Sequence, residues 1–165
     1  MKTVYLKVLS SLIMLALVAS CGFQIRGSGD FTFKTLYIQG SNLSLLKPLK
    51  KGLKSNSIVV VENKDDAELL LELISESSEQ RILSLSGGGK VSEYELFYRT
   101  SYRMKNPQDE LWSAVQQFEG RRDFSYDDTQ LLAKQFEEQR LLEDMRQDAV
   151  REMQRKLSAF KLSVK

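Results

Sequence analysis

The sequence predicts an α+β fold: two helices packed on one face of an antiparallel or mixed sheet. Three observations carry that expectation. Tyr94, Leu96, Tyr98, Thr100, Tyr102 and Met104 alternate with Glu93, Glu95, Arg99, Ser101, Arg103 and Lys105, the period-two pattern of a strand with one wet face. Gly87-Gly88-Gly89-Lys90 before it and Asn106-Pro107-Gln108-Asp109 after it are turns that return the chain into antiparallel neighbours. From Asp127 to Lys165 there is no glycine or proline, and Leu142, Met145, Ala149, Met153, Leu157 and Phe160 recur at threes and fours. That is one long amphipathic helix. Helices that cover one face of such a sheet form a two-layer sandwich.

The chain begins with a separate device. Lys2 and Lys7 are followed by the apolar run Val8 to Val18, then by Ala19, Ser20 and Cys21, the single cysteine. A basic start, a short apolar stretch and small residues before a cut describe a secretory signal peptide. The run is shorter than the roughly 18 residues that a membrane-spanning helix needs. Val18-Ala19-Ser20-Cys21 also resembles the bacterial lipobox, with a thiol placed to take a diacylglyceryl group. The competing reading is an ordinary signal peptide with a structural cysteine beside it. On the lipoprotein reading, residues 1–20 are removed, Cys21 is the acylated first residue, 21–30 is a tether, and 31–165 is one domain. Two or more acyl chains make a stable anchor, each buried methylene contributing about 0.8 kcal/mol. Gly22 stands where an aspartate would favour retention in the inner membrane, so the expected place is the outer membrane.

The remaining elements follow in order. Phe31 to Gln39 is rich in aromatic and β-branched residues and reads as a strand. Leu43 to Ser55 places Leu46, Leu49 and Leu53 on one side and Lys47, Lys50, Lys51 and Lys54 on the other, a short helix with a basic outer face. Pro48 fits if the helix starts near Leu45, because proline is comfortable in the first turn. The bland meaning of that basic face is solvation; contact with lipid phosphate is the alternative. Ser57 to Glu62 is a strand. Ala67 to Ser77 could start a helix capped by Asp65 and Glu68, but Leu69, Leu71 and Leu73 fit a strand face that continues through Ser75 and Ser77 to Leu83 and Leu85, and the glycine turn that follows favours the strand. Leu111 to Phe124 is the returning strand.

Composition excludes several functions. There are 24 basic and 22 acidic residues, and Lys2 and Lys7 leave with the signal peptide, so the mature chain is formally neutral. No general attraction to nucleic acid follows. With no histidine and one cysteine, histidine-based catalysis and a zinc site have no residues to build them. No cofactor or metal is expected, and no enzymatic activity. Ser44/Lys47 and Ser158/Lys161 match Ser-x-x-Lys, but the accompanying elements of that catalytic set are absent. Gly87-Gly88-Gly89-Lys90 precedes a strand rather than a helix, which argues against a phosphate loop.

Several stretches, in order, carry a family resemblance. Cys21-Gly22-Phe23-Gln24-Ile25-Arg26-Gly27, Ser92-Glu93-Tyr94-Glu95-Leu96, and Leu132-Ala133-Lys134 with Glu138, Asp144-Met145 and Ala149 resemble the LptE lipopolysaccharide-assembly lipoproteins. The resemblance implies a sheet of about four strands under two helices. It also implies a periplasm-facing outer-membrane lipoprotein that sits as a plug in the lumen of the β-barrel LptD and assists insertion of lipopolysaccharide. Two alternatives stay open: an auxiliary periplasmic lipoprotein of a different transport system, and a carboxylate-dependent hydrolase. If lipopolysaccharide is bound directly, its phosphates need a local cation cluster. Lys90, Arg99 and Arg103 are the expected patch, with Arg121, Arg122, Lys134 and Arg140 as further candidates.

Overall fold

A computed structural model describes residues 31–40 and 43–161. The expected signal peptide, Cys21 and the tether lie outside the described residues. The strands are β1 (Thr35–Gly40), β2 (Val59–Val61), β3 (Leu69–Leu85), β4 (Val91–Lys105) and β5 (Gln116–Ser125); the helices are α1 (Leu46–Ser55) and α2 (Leu131–Ala159). The sheet order is β2-β1-β3-β4-β5. It has five strands, one for each segment read as a strand and one more than the resemblance implies; the stretch Ser57 to Glu62 supplies only the three-residue β2.

The antiparallel expectation holds for β3, β4 and β5. β1 instead runs parallel to both of its neighbours, β2 and β3. Helix α1 carries the chain back to the starting end between β1 and β2, which forces a parallel pair. Because β2 is so short, Glu62 to Glu68 suffices to return the chain for β3. The last strand starts at Gln116, not Leu111, whose side chain is 82% exposed. Ser113 takes up both backbone groups of Met104: its N–H donates to the carbonyl (2.8 Å) and its Oγ accepts the N–H (3.0 Å). A serine in that role delays the ladder until the chain has turned.

Pro48 sits in the first turn of α1, as its chemistry requires. At the tip of the β3–β4 hairpin, Gly89 has a φ of 76°, and Ser86 accepts from the Gly89 N–H at 2.9 Å. This is the turn the glycine cluster predicts.

Both helices lie on one face of the sheet and bury two apolar clusters. The larger joins Phe33 and Leu36, Leu49 and Leu53 of α1, Leu69, Leu71 and Leu73 of β3, Tyr102 of β4, and Met153 and Leu157 of α2. The smaller joins Leu96, Tyr98, Phe124, Met145 and Ala149. A Cβ on Gly120 would stand 3.2 Å from Met145, so glycine there lets α2 lie close to β5. Of the stripe expected on α2, Met145, Ala149, Met153 and Leu157 are buried; Leu142 and Phe160 are half-covered. The first turns of α2 project past the core, leaving Leu132 and Phe136 exposed.

Candidate functional site

The far face of the sheet carries the charged residues that alternate with the core. Odd-numbered residues of β4 stand there, so Arg99 and Arg103 share it, as expected. β3 contributes Glu72, then Glu79 and Arg81; β5 contributes Glu119, Arg121 and Asp123. Arg99 donates from Nε to Glu119 (2.5 Å) and from Nη1 to Glu79 (3.0 Å). Arg81 donates to the same Glu79. Arg103 pairs with Glu72, and Arg121 with Glu95 and Asp123. The two guanidiniums of Arg81 and Arg99 stack on Phe97 at 4.8 and 4.7 Å, which explains an aromatic ring buried on the wet face. Arg103 stacks on Trp112 at 4.9 Å.

This face therefore alternates in sign. Its arginines at 81, 99, 103 and 121 stand among carboxylates at 72, 79, 95, 119 and 123. The hydrogen bonds that Arg99 donates to Glu119 and Glu79 raise its pKa further. Those from Arg81 and Arg99 hold Glu79 below the usual carboxylate range. The hydrogen bond from Arg103 does the same for Glu72.

Lys90 stands elsewhere. Its Nζ meets Asp128, beside the start of α2, at 2.9 Å. Nine residues of strand separate it from Arg99, about 30 Å at the rise of an extended chain. The fold thus brings Arg99 and Arg103 together and sets Lys90 apart at the hairpin end. Arg121 joins the wet face, whereas Arg122 faces α2 and pairs with Asp148 at 2.7 Å. Lys134 pairs with Glu137.

A second polar assembly has no precedent in the sequence pattern. Between the two apolar clusters, the carboxylate of Glu76 accepts from the Ser44 hydroxyl (2.5 Å), the Tyr98 hydroxyl (2.7 Å), the Leu45 N–H (3.3 Å) and Arg146 Nε (3.4 Å). One side chain so ties the entry of α1 to β3, β4 and α2, beside a cleft of about 280 Å³. Burial works against the ionised form. The hydrogen bonds from Ser44, Tyr98 and Leu45 outweigh it and keep the Glu76 carboxyl below its ordinary pKa. The same bond, with burial, pushes the Tyr98 hydroxyl well up. Ser44 is committed to Glu76 and not to Lys47, which removes that Ser-x-x-Lys match as a catalytic pair. A bulge hid this junction. Between Leu73 and Ser75 the register shifts, so the helix-facing residues change from odd to even and Glu76 turns inward. Among the described residues no cluster of metal-ligating side chains occurs.

The fold is a two-layer α+β domain whose wet sheet face holds Arg81, Arg99, Arg103 and Arg121 in pairs with carboxylates. Residues 33–157 match the family model LptE, lipopolysaccharide-assembly, and the chain belongs to that family. It is 28% identical over 159 residues to the LPS-assembly lipoprotein LptE of Photorhabdus laumondii, covering 92% of this chain and 85% of that one. The solution structure of uncharacterized lipoprotein B from Nitrosomonas europaea superposes with a TM-score of 0.74 at 32% identity, over 84% of this chain and 92% of that one. Rare lipoprotein B from Shewanella oneidensis gives 0.68 at 29%, over 76% and 94%.

Proposed function

We propose that this chain is an outer-membrane lipoprotein, anchored through Cys21, that assists assembly of an LptD-type β-barrel and insertion of lipopolysaccharide at the cell surface. The observation that carries this reading is the family match over residues 33–157. The named role of the Photorhabdus relative in lipopolysaccharide assembly supports it. The surface suits it physically. A barrel lumen of this kind is polar, and the wet face of the sheet offers alternating charges to such a wall. The protein works by binding and not by turnover.

In its narrower form the proposal includes contact of Lys90, Arg99 and Arg103 with lipopolysaccharide phosphates. Each cation would exchange a carboxylate partner for a phosphate: Asp128 at the hairpin end, and Glu79, Glu119 and Glu72 on the open face. Because Lys90 lies far from the other two, one lipid headgroup does not span all three, and two contact points are required.

The test is a tagged pull-down from detergent-solubilised outer membranes. Co-purification of an outer-membrane barrel and lipopolysaccharide is expected. Recovery of a periplasmic or inner-membrane transport component without a barrel would instead favour an auxiliary lipoprotein of a different transport system.

A further inference from the structure

The neutral mature chain is electrically divided. Cys21 to Val61 contains six basic residues and one acid; Glu62 to Lys165 contains 16 basic and 21 acidic residues. The positive part is concentrated on α1. Lys50 and Lys51 each stand three or four residues from Lys47 and from Lys54, so the four share one helix face, and all four are exposed. Among the described residues no carboxylate lies within ion-pair distance of any of them, although ten other lysines and arginines are paired. Like charges at these spacings destabilise a helix. An arrangement that concentrates them without a counter-ion is relieved by an external anionic surface.

Position selects which surface. Thr32 donates to the carbonyl of Phe160 at 3.2 Å, and Phe31 packs edge-on against Phe33 at 5.5 Å. The described domain therefore starts at the C-terminal end of α2, in the same apolar cluster as Leu49 and Leu53 of α1. Nine residues, 22–30, lie between this point and the acylated cysteine, a reach of at most about 35 Å. The hairpin tip lies at the opposite end of β4. Beside the lysines, Leu43 and Leu46 line a shallow groove with Lys47 and Lys50, about 580 Å³ in volume. Apolar floor next to flexible cationic stems suits a headgroup region.

We propose that the lysine face of α1 docks on the phosphates of an anionic phospholipid bilayer, laying this end of the domain against the membrane that holds its anchor. The inference rests on the anchoring proposed above. Each lysine held near an anionic surface strengthens attachment about fivefold.

The mature chain carrying Cys21→Ser, so that acyl chains do not mask the effect, is tested by sedimentation with vesicles. Phosphatidylcholine alone is compared with an equal mixture of phosphatidylcholine and phosphatidylglycerol over a salt series. Binding to the mixed vesicles that weakens with salt is expected. Lys50→Gln/Lys54→Gln should lower the partition about 25-fold, whereas Gln80→Glu/Arg81→Gln, which lowers the charge by the same two units on the hairpin half of β3, should leave it unchanged. Removing like charges from an exposed helix face keeps or raises the melting temperature, so unfolding will not mimic the result. Equal loss in both pairs, no loss in the first, or equal binding to neutral vesicles would overturn the docking. So would loss of binding to lipopolysaccharide micelles by the first pair with vesicle binding intact. Intact vesicle binding beside a pull-down without a barrel would remove the proposed function and leave this inference standing.

Discussion

Glu76 is a polar residue on which two apolar clusters and four elements converge, so its removal should have effects out of proportion to its size. Its Oε1 accepts from Ser44, Tyr98 and Arg146, and its Oε2 from the Leu45 N–H at the start of α1. Glu76→Ala leaves the buried Tyr98 hydroxyl without its acceptor and Arg146 without one of its two carboxylates. An orphaned buried hydroxyl and a lost charge-assisted bond cost together roughly 3 kcal/mol. Glu76→Gln retains an oxygen at the Oε1 position, but its amide NH2 then faces the Leu45 N–H; the cost is smaller, about 1–2 kcal/mol. Thermal unfolding followed by circular dichroism should show drops of roughly 6–12 °C and 2–8 °C, given about 2–4 °C per kcal/mol for a chain of this size. The two variants also differ in pH dependence. The folded-state pKa of Glu76 is lowered, so its stabilisation is fully present above the unfolded carboxylate pKa and is lost as pH falls through the folded value. Wild type should lose stability through that acid range, and Glu76→Gln should lose less. An Ala variant within about 0.5 kcal/mol of wild type, or a Gln variant with an unchanged acid profile, would refute the junction as a source of stability.

Four further outcomes are expected. Gly40→Ala should destabilise by roughly 3 kcal/mol or more, because φ is 122° and the new Cβ would stand 2.1 Å from the Leu73 carbonyl oxygen; denaturant unfolding measures it. Met153→Asp should unfold the domain, since it places an unpaired carboxylate at a fully buried position, whereas Leu142→Asp, at a half-covered site, should be much milder; equal melting temperatures for the two would contradict the burial pattern. Lys90→Ala/Arg99→Ala/Arg103→Ala should weaken binding of purified lipopolysaccharide and flatten its salt dependence, and an unchanged titration by a folded variant would exclude the three as contacts. Cys21→Ala should abolish incorporation of radiolabelled fatty acid; equal label in the variant would remove the anchor.

Much of the fold was legible in the chain because the deciding signals are local. The Tyr94 to Met104 alternation, the glycine turn at 87–89 and the unbroken run of α2 each fix backbone geometry within a few residues. The position of Pro48 was legible too, as its ring allows few places in a helix. The parallel pairing of β1 was not. Direction and strand order depend on how far α1 carries the chain, and β2 is too short to announce a partner.

The candidate surfaces divide in the same way. That Arg99 and Arg103 share a face follows from a period of two, which the sequence states by itself. That each arginine already holds a carboxylate depends on register with β3 and β5, and that register is set by turns and packing. Adjacency to the same strand groups Lys90 with them in the sequence; its pairing with Asp128 joins residues 38 positions apart. Glu76 was invisible for a stronger reason, since the bulge at Ile74 reverses which residues of β3 face the helices. The order of residues states the main turns, the apolar side of β4 and α2, and that Arg99 and Arg103 share a face. Which charges neutralise one another, and which, as on α1, meet no carboxylate among the described residues, is settled by the folded arrangement, because a Coulomb interaction depends on distance through space and not on separation along the chain.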